Sequence, residues 1–377
     1  MEILDKQYIE FKCLEAIQPI GAMYIGVMNS DDLEKITYAD VRRLELGKDN
    51  REIEDYIGIQ RQLDSKREKD IGKYVNLVDA TFPNTIILSI SSKDAQYDPD
   101  TNLMTIEFKD DIAKVLDGQH RIAGLRHYKK NAKTFQLAVT IYIDMELEDQ
   151  AIVFATINKE QKNVSNSLVA DLFAFAETRS PQKTGHNIAR ALTKKEGSPL
   201  YEKIKILGKA EKDTQSITQD TFVKSLLKYI TRDMQTDRDF YRRNKNDKNI
   251  KLPYTADRDK KQLFLRDIFI DDKSDIQIAQ IIWNYFYAVQ NKWPISWNFV
   301  KDNNILNKST GFVALMKFFK DAYLHFEKPN TIISKEEFSS IFESIDLQEN
   351  DFNTQRYLPG SKGQSALYKD LKELSGI

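Results

Sequence analysis

Strand-like and helix-like spacings of apolar positions alternate over the first 180 residues of the chain. Alternating or short unbroken apolar runs predict strands over 8–17, 20–27, 85–90, 103–108, 112–117 and 135–144. Apolar residues three and four positions apart predict helices over 65–78, 119–130, 147–157 and 168–177. The pattern therefore predicts a mixed α/β domain over residues 1–180.

Beyond residue 180 the helical spacing dominates. It predicts helices over 221–229, 276–289, 311–325 and 335–345. The stretch 237–261 is polar, charged and turn-rich, and it predicts an exposed loop. Together the two patterns predict an α+β protein in which a mixed domain precedes a mainly helical domain, residues 181–377.

The composition is typical of a globular protein with a sizeable core, with 41% hydrophobic and 30% charged residues. No apolar run reaches about 18 residues, so we expect no membrane span. The charged N-terminus lacks the apolar centre of a secretion signal. One cysteine, Cys13, excludes a disulfide within the chain, and the four scattered histidines give no metal-binding pattern. We therefore expect a cytoplasmic protein without a metal site of its own.

The net charge of −1 conceals a basic segment. Residues 181–261 contain 20 Lys or Arg and 11 Asp or Glu, a net charge of +9. A basic segment on an otherwise acidic chain favours contact with the DNA backbone, although a solvated surface without a partner explains the charge equally well. The DNA-contact candidates are Arg238, Arg242, Arg243, Lys245, Lys248 and Lys251, which carry no base-reading pattern.

The stretch Asp117-Gly118-Gln119-His120-Arg121 is the most informative in the chain. A predicted strand ends at Asp117, Gly118 permits a tight turn, and a predicted helix follows. The first N–H groups of a helix attract anions, and His120 and Arg121 can add donors to the same place. Asp117 can cap the helix or help to hold a cation. The alternative is that Asp117 only caps the helix and the basic pair is solvated.

This pentapeptide resembles the naming motif of the DGQHR-domain family, which includes the DndB-type regulators of DNA sulfur modification. It is also similar to the phosphate-binding loop of the wider ParB/sulfiredoxin superfamily. The stretches 59–71, 80–86 and 154–164 resemble further elements of the family in the same order. The resemblance covers about residues 15–175 and implies a ParB/sulfiredoxin-like fold for the first domain.

The resemblance implies a pocket for ATP or CTP, with Mg²⁺ as an accompanying ion. The residues that it implies for nucleotide binding are Arg61, Asp117, Gly118, Gln119, His120, Arg121, Asn158 and Gln161. The chain departs from sulfiredoxins at Gln119, where those enzymes have a catalytic cysteine. Since an amide cannot act as a thiolate nucleophile, sulfinic acid reduction is excluded.

Two functions remain open. A DndB-like protein would bind nucleotide and DNA, control transcription of a DNA phosphorothioate modification and restriction cluster, and take part in phage defence. The alternative is a nucleoside triphosphatase, or a modification-dependent restriction component, with Asp117, His120 and Arg121 as the catalytic candidates. The sequence identifies no firm general base. It leaves contacts with other DNA-modification or restriction proteins, and homo-oligomerisation, as further possibilities.

Overall fold

The computed structural model describes residues 7–38, 43–46, 54–57, 64–129, 134–160, 178–206, 212–247, 249–272, 275–300 and 303–377. The chain divides into two compact units, Met1–Asn163 and Val164–Ile377. The boundary expected from the sequence follows residue 180, and the residues between these two positions lie mostly outside the described part of the chain. None of the described helices combines the length and apolar content needed to cross a membrane.

The first unit contains both strands and helices. Its strands are β1 (Tyr8–Gln18), β2 (Gly21–Asn29), β3 (Thr37–Tyr38), β4 (Arg43–Leu46), β5 (Glu54–Ile57), β6 (Ile86–Ile90), β7 (Ala95–Asp98), β8 (Leu103–Glu107), β9 (Ala113–Asp117) and β10 (Gln136–Ile143). Its helices are α1 (Ser30–Ile36), α2 (Ser65–Tyr74), α3 (Gln119–Leu125) and α4 (Leu147–Glu160).

Eight of the described strands form one mixed sheet, in the order β3-β9-β6-β10-β2-β1-β8-β7. The pairs β3–β9 and β6–β10 are parallel, and the other neighbours are antiparallel. Strand β9 therefore has neighbours on both sides, and its C-terminal residue, Asp117, pairs with Ile87 of β6. The sheet thus fixes where the Asp117–Arg121 loop begins.

One apolar cluster holds the helices against this sheet. Alternate strand residues such as Leu88 and Ile141 are fully buried in it, as the period of two in a strand requires. Leu33 of α1, Ile122 of α3 and Val75, just after α2, belong to the same cluster. Helices α2 and α3 are therefore anchored to the sheet by apolar burial, at about 25 cal/mol for each Å² removed from water.

The second unit is mainly helical. Its helices are α5 (Pro181–Lys194), α6 (Gln219–Leu227), α7 (Met234–Arg243), α8 (Arg266–Asp271), α9 (Ile276–Lys292), α10 (Pro294–Asn298), α11 (Ser309–His325), α12 (Lys335–Glu343) and α13 (Ser361–Ser375). Two short strands, β11 (Ile204–Lys205) and β12 (Ile217–Thr218), pair in parallel. The α+β class predicted from the sequence is confirmed.

Two sequence-based expectations about single elements were wrong. The expected helix 119–130 ends at Leu125. The stretch 237–261 is not a continuous loop, because α7 covers its first part with Asp237 and Tyr241 buried. The carboxylate of Asp237 pairs with the guanidinium of Arg266, at 2.6 Å and 3.0 Å. Polarity was therefore a poor guide to exposure, since the charge at Asp237 is neutralised inside the unit.

A buried lysine gives the second unit a measurable pH dependence. The Lys203 side chain is almost fully buried and its Nζ donates to the carbonyl of Trp297 at 2.8 Å. Burial lowers the pKa of Lys203 from 10.5 to about 8. The unfolded chain therefore binds this proton more tightly, and the stability cost of the buried ammonium is complete below pH 8 and disappears as the pH rises to 10.5.

We predict that Lys203→Met removes this dependence. As the pH rises from 8 to 10.5, the free energy of unfolding of the wild type should increase by up to about 3 kcal/mol more than that of Lys203→Met. Urea unfolding followed by tryptophan fluorescence measures it, because Trp283, Trp293 and Trp297 all lie in the second unit. Replacement of the exposed Lys228 by Met is the control and should leave the pH dependence unchanged. Parallel profiles for wild type and Lys203→Met would contradict the prediction.

Candidate functional site

The loop between β9 and α3 is built around a glycine in a left-handed conformation. Gly118 has φ of 103° and occupies the N-cap position of α3. Its carbonyl accepts from the backbone N–H groups of Arg121 and Ile122, at 2.9 Å and 3.0 Å. Of the two roles left open for Asp117, the helix cap is therefore wrong, since the N-cap is Gly118, a residue without a side chain.

The Arg121 guanidinium holds the loop against the start of β6. Its Nη2 donates to Asp117 Oδ2 at 2.7 Å and to the carbonyl of Thr85 at 3.0 Å. Its Nη1 donates to the carbonyl of Asn84 at 2.5 Å. Burial lowers the pKa of Arg121, and the nearby Asp117 carboxylate partly opposes that shift. The guanidinium remains a cation because the pKa of a free arginine is so high. Much of the fork expected for phosphate is thus engaged by three protein oxygens.

His120 connects the starts of two helices. Its Nε2 accepts a hydrogen bond from the backbone N–H of Asp64 at 3.1 Å, so this nitrogen carries no proton in the contact. Asp64 is the N-cap of α2, and its carboxylate accepts from the backbone N–H groups of Lys66 and Arg67. These two hydrogen bonds keep the pKa of Asp64 below its usual value. The imidazole is therefore oriented by the chain that enters α2.

Two glycines allow α2 and α3 to approach closely. A Cβ atom on Gly124 would lie 2.3 Å from Cγ2 of Ile71, and one on Gly72 would lie 2.8 Å from Cδ2 of His127. The side chain of Asn76 then donates to the carbonyls of Gly72 and His127, at 2.8 Å and 2.9 Å. The helix pair is thus fixed in register, which in turn fixes Asp64 beside His120.

Sequence reasoning missed most of these supporting residues. Gly124 inside a predicted helix was a usable signal, because such glycines often mark close packing. The carbonyls of Asn84 and Thr85 gave no signal, since every residue has a carbonyl. Asp64 could have been found as an N-cap before a helical pattern.

The structure describes only some of the other residues that the sequence predicts to bind nucleotide. Arg61 and Gln161 lie outside the described residues, and for Asn158 only the backbone, within α4, is described. Gln119 is half-buried in the first turn of α3. Asp64, the first described residue after Arg61 in the sequence, lies beside His120.

The DNA-contact candidates differ in exposure. Arg238 is largely buried and pairs with Asp239 at 3.1 Å, and Lys251 pairs with Asp271 at 2.7 Å. Lys248 lies outside the described residues. Arg242 is half-buried at the end of α7. Arg243 ends that helix and Lys245 follows it, and both are exposed, as is Lys251.

Binding of a metal ion at the Asp117–Arg121 loop would require oxygen atoms from a bound nucleotide or from water in addition to those of the protein. In the part of the chain that the structure describes, no group of three or more His, Cys, Asp or Glu residues is arranged to hold a metal ion. Protein-bound Mg²⁺ usually has one or two carboxylate ligands and takes the rest from water and substrate phosphates. Asp117 fits that limited role, because its carboxylate lies at the loop and is partly exposed.

A family model described as "DndB: DNA-sulfur modification-associated" matches residues 11–328 of the chain. The match spans both units. No curated protein and no solved structure shows significant similarity to this sequence.

We predict that Gly118→Ala destabilises the first unit by about 1–3 kcal/mol. A Cβ atom at this positive φ would lie 2.4 Å from Cδ1 of Ile86 and 3.2 Å from Nη2 of Arg121. Gly21→Ala is the matched control, because Gly21 has φ of 133° but a Cβ atom there would meet no other atom within 4 Å. Thermal unfolding followed by circular dichroism should therefore show a larger loss at Gly118. An equal or smaller loss than at Gly21 would show that the loop does not need its close contacts.

Proposed function

Because the chain belongs to the DndB family of DNA-sulfur modification-associated proteins, we propose that it is a DNA-binding regulatory protein of a DNA phosphorothioate modification system. The observation that carries this proposal is the family match, which spans residues 11–328 and includes the basic segment 181–261. Transcriptional control of the modification cluster and a part in phage defence belong to the same proposal. A ParB/sulfiredoxin-like fold of the first unit is also part of this proposal.

Binding is favoured over catalysis by the way the loop is held. Asp117, His120 and Arg121 all hold secondary-structure elements together. A group that carries such contacts can bind a ligand by exchanging partners, whereas a catalytic base must remain available for proton transfer. The regulatory function therefore has priority over the triphosphatase alternative.

The DNA contact would be electrostatic. Arg243 and Lys245 are exposed at the end of α7, within the segment of net charge +9. Cations at such positions displace counterions from the phosphate backbone, which gives a strong dependence of affinity on salt. A phosphorothioate linkage keeps the single negative charge of a phosphate diester, so both forms of DNA should bind through this contact.

We predict that Arg243→Ala together with Lys245→Ala weakens binding of a short fluorescent DNA duplex about tenfold. The slope of log affinity against log salt should fall by about 2, one for each lost phosphate contact. Fluorescence anisotropy at several salt concentrations measures both quantities. The charge-matched control is Lys362→Ala with Lys369→Ala, which removes two exposed lysines of α13. Failure of the wild type to bind DNA, or affinity independent of salt, would overturn the proposal.

We further propose that ATP or CTP binds at the Asp117–Arg121 loop by exchanging partners. A nucleotide phosphate would take the Arg121 guanidinium from Asp117. The released carboxylate would then be able to bind Mg²⁺ together with the phosphates. The support for this step is that Asp117 and Arg121 form a direct pair, 2.7 Å apart, at the start of a helix. A bound nucleotide would shift the protein away from the paired arrangement of Asp117 and Arg121 only to the extent that it binds the exchanged arrangement more tightly.

Two variants test this exchange in opposite directions. We predict that Arg121→Lys weakens ATP or CTP binding at least about tenfold, because an ammonium cannot replace the planar fork. Asp117→Asn should strengthen binding without Mg²⁺, because a competing charge is removed, and should reduce the gain from added Mg²⁺. Isothermal calorimetry measures the affinities, and circular dichroism confirms that each variant is folded.

The absence of heat with either nucleotide would refute nucleotide binding at the loop without touching the DNA proposal. Phosphate release by the wild type that is lost in His120→Ala would instead favour the triphosphatase.

A further inference from the structure

We propose that a small apolar pocket beside the end of α11, in the second unit, binds a nucleobase that carries an exocyclic amino group. The base comes either from a free nucleoside or from a DNA strand in which it is unpaired. Since the ligand class is taken from nucleic acid, this inference rests on the proposed DNA binding. The pocket contains no residue of the Asp117–Arg121 loop and neither Arg243 nor Lys245.

The pocket has the size and the walls of a site for a single ring. Its volume is about 230 Å³, whereas pockets for drug-sized ligands typically measure about 300–1,000 Å³. The walls come from the chain that leads into α8, from the last turn of α11 and from the turn after it. Their apolar residues are Leu263, Phe264, Tyr323, Leu324 and Pro329. Such walls favour a flat, mainly apolar body over a hydrated ion.

Hydrogen bonds inside the unit hold these walls in place. The rings of Phe264 and Tyr323 stack with their centroids 4.9 Å apart. The hydroxyl of Tyr323 donates to the carbonyl of Thr331 at 2.9 Å and accepts from the N–H of the same residue at 3.2 Å. The carbonyl of Asn330 accepts from Gln277 Nε2 at 2.9 Å. The turn after α11 is therefore fixed to the helices around it, and the pocket is formed before a ligand enters.

One wall carries a hydrogen-bond acceptor with unused capacity. Oδ1 of Asp267 accepts from the backbone N–H of Thr255 at 2.8 Å. Within the described part of the chain, the other oxygen of Asp267 has no hydrogen bond, and it is not among the buried polar atoms. The hydroxyl of Thr255 in the same wall is buried and has no partner among the described residues, which is uncommon in a native structure. This wall therefore has polar atoms to spare for a ligand.

A carboxylate in this position selects for an amino group. It can only accept, and it accepts strongly from an N–H donor. Cytosine, adenine and guanine each present an exocyclic amino group, whereas thymine presents carbonyl oxygens and a methyl group. Asp267 would therefore bind the first three bases and repel the oxygen of thymine.

The charges at the rim suit a neutral ring better than an anion. Lys260 and Lys328 are compensated by ion pairs with acids outside the pocket. The remaining charged residues of the pocket are one cation, Lys261, and two carboxylates, Asp267 and Glu327, so their charges sum to −1. A phosphate is thus not expected to enter, and the backbone of a bound strand would remain outside.

A nucleobase fits this combination because proteins that take a base out of a strand use the same two elements. They hold the ring between apolar and aromatic side chains, and they read its edge with hydrogen bonds. Here the apolar walls supply the first element and Asp267 supplies the second.

The first arm of the test uses free nucleosides. Deoxycytidine should bind at least about tenfold more tightly than thymidine, as expected for one hydrogen bond to a charged acceptor. Asp267→Asn should remove most of this preference, because an amide both donates and accepts. It keeps an oxygen for the N–H of Thr255. The matched control is Asp213→Asn, which removes an exposed carboxylate of the same unit outside the pocket. Calorimetry measures the affinities.

The second arm distinguishes a base in DNA from a free nucleoside. Fluorescence anisotropy compares a duplex that has one unpaired deoxycytidine with a duplex that has an abasic unit at the same place. If the site takes its base from DNA, the first should bind about tenfold more tightly. Leu324→Trp should abolish the difference by filling the pocket, whereas Leu358→Trp, at an exposed leucine outside it, should not. Circular dichroism confirms that each variant is folded.

The outcomes separate the pocket from the proposed function. Equal affinity of the wild type for deoxycytidine and thymidine, or no binding of either, would overturn the pocket, and binding of a fully paired duplex would then leave the DNA proposal standing. A preference for deoxycytidine that persists in folded Asp267→Asn would also overturn it. Nucleoside binding without a preference for the unpaired base would support the pocket and assign it to a free nucleoside. If the wild type binds no DNA, the proposed function fails, and the nucleoside arm still decides the pocket.

Discussion

The guanidinium of Arg121 is the group that holds the loop between β9 and α3 in place. It contacts the carboxylate at the end of β9 and two carbonyls of the chain that leads into β6. The pairing of β6 with β9 shifts register at Ile87 and Leu88, beside the same place. Carbonyls at an irregular strand end need donors, and here one side chain supplies them. The loop is therefore held by a cation that the sequence motif itself provides.

The contacts around this cation join the Asp117–Arg121 stretch to the helices and strands next to it. Gly118 allows the turn that brings Arg121 back over Asp117, and Gly124 allows α2 to lie close against α3. That approach places the N-cap of α2 beside His120. A change at any of these positions would move the others. The stretch is thus a cooperative structural element first, and the nucleotide binding proposed for it would require an exchange of contacts that the fold already uses.

The second unit uses charge differently. Arg266 with Asp237, and Arg179 with Asp275, are ion pairs in which both partners are largely buried, and Lys203 is a buried cation with a carbonyl partner. Buried pairs of this kind cost desolvation energy, which offsets much of their mutual attraction, and removal of one partner would leave an uncompensated charge inside the unit. They also reduce the number of charges available for a ligand. The net charge of 181–261 therefore overstates how many basic side chains are available at the surface, because Arg238 and Lys251 pair with Asp239 and Asp271.

Local sequence patterns were enough to predict the α+β class, most strands of the first unit, the four helices predicted between 221 and 345, and the turn from β9 into α3. These features depend on periodicity and on glycine, whose effects act within a few residues. Packing of the folded chain was needed to establish which oxygens Arg121 contacts, that Asp64 lies beside His120, and that α7 replaces an expected loop. Such pairings join residues tens of positions apart, and no local pattern encodes them because they arise only when the elements pack.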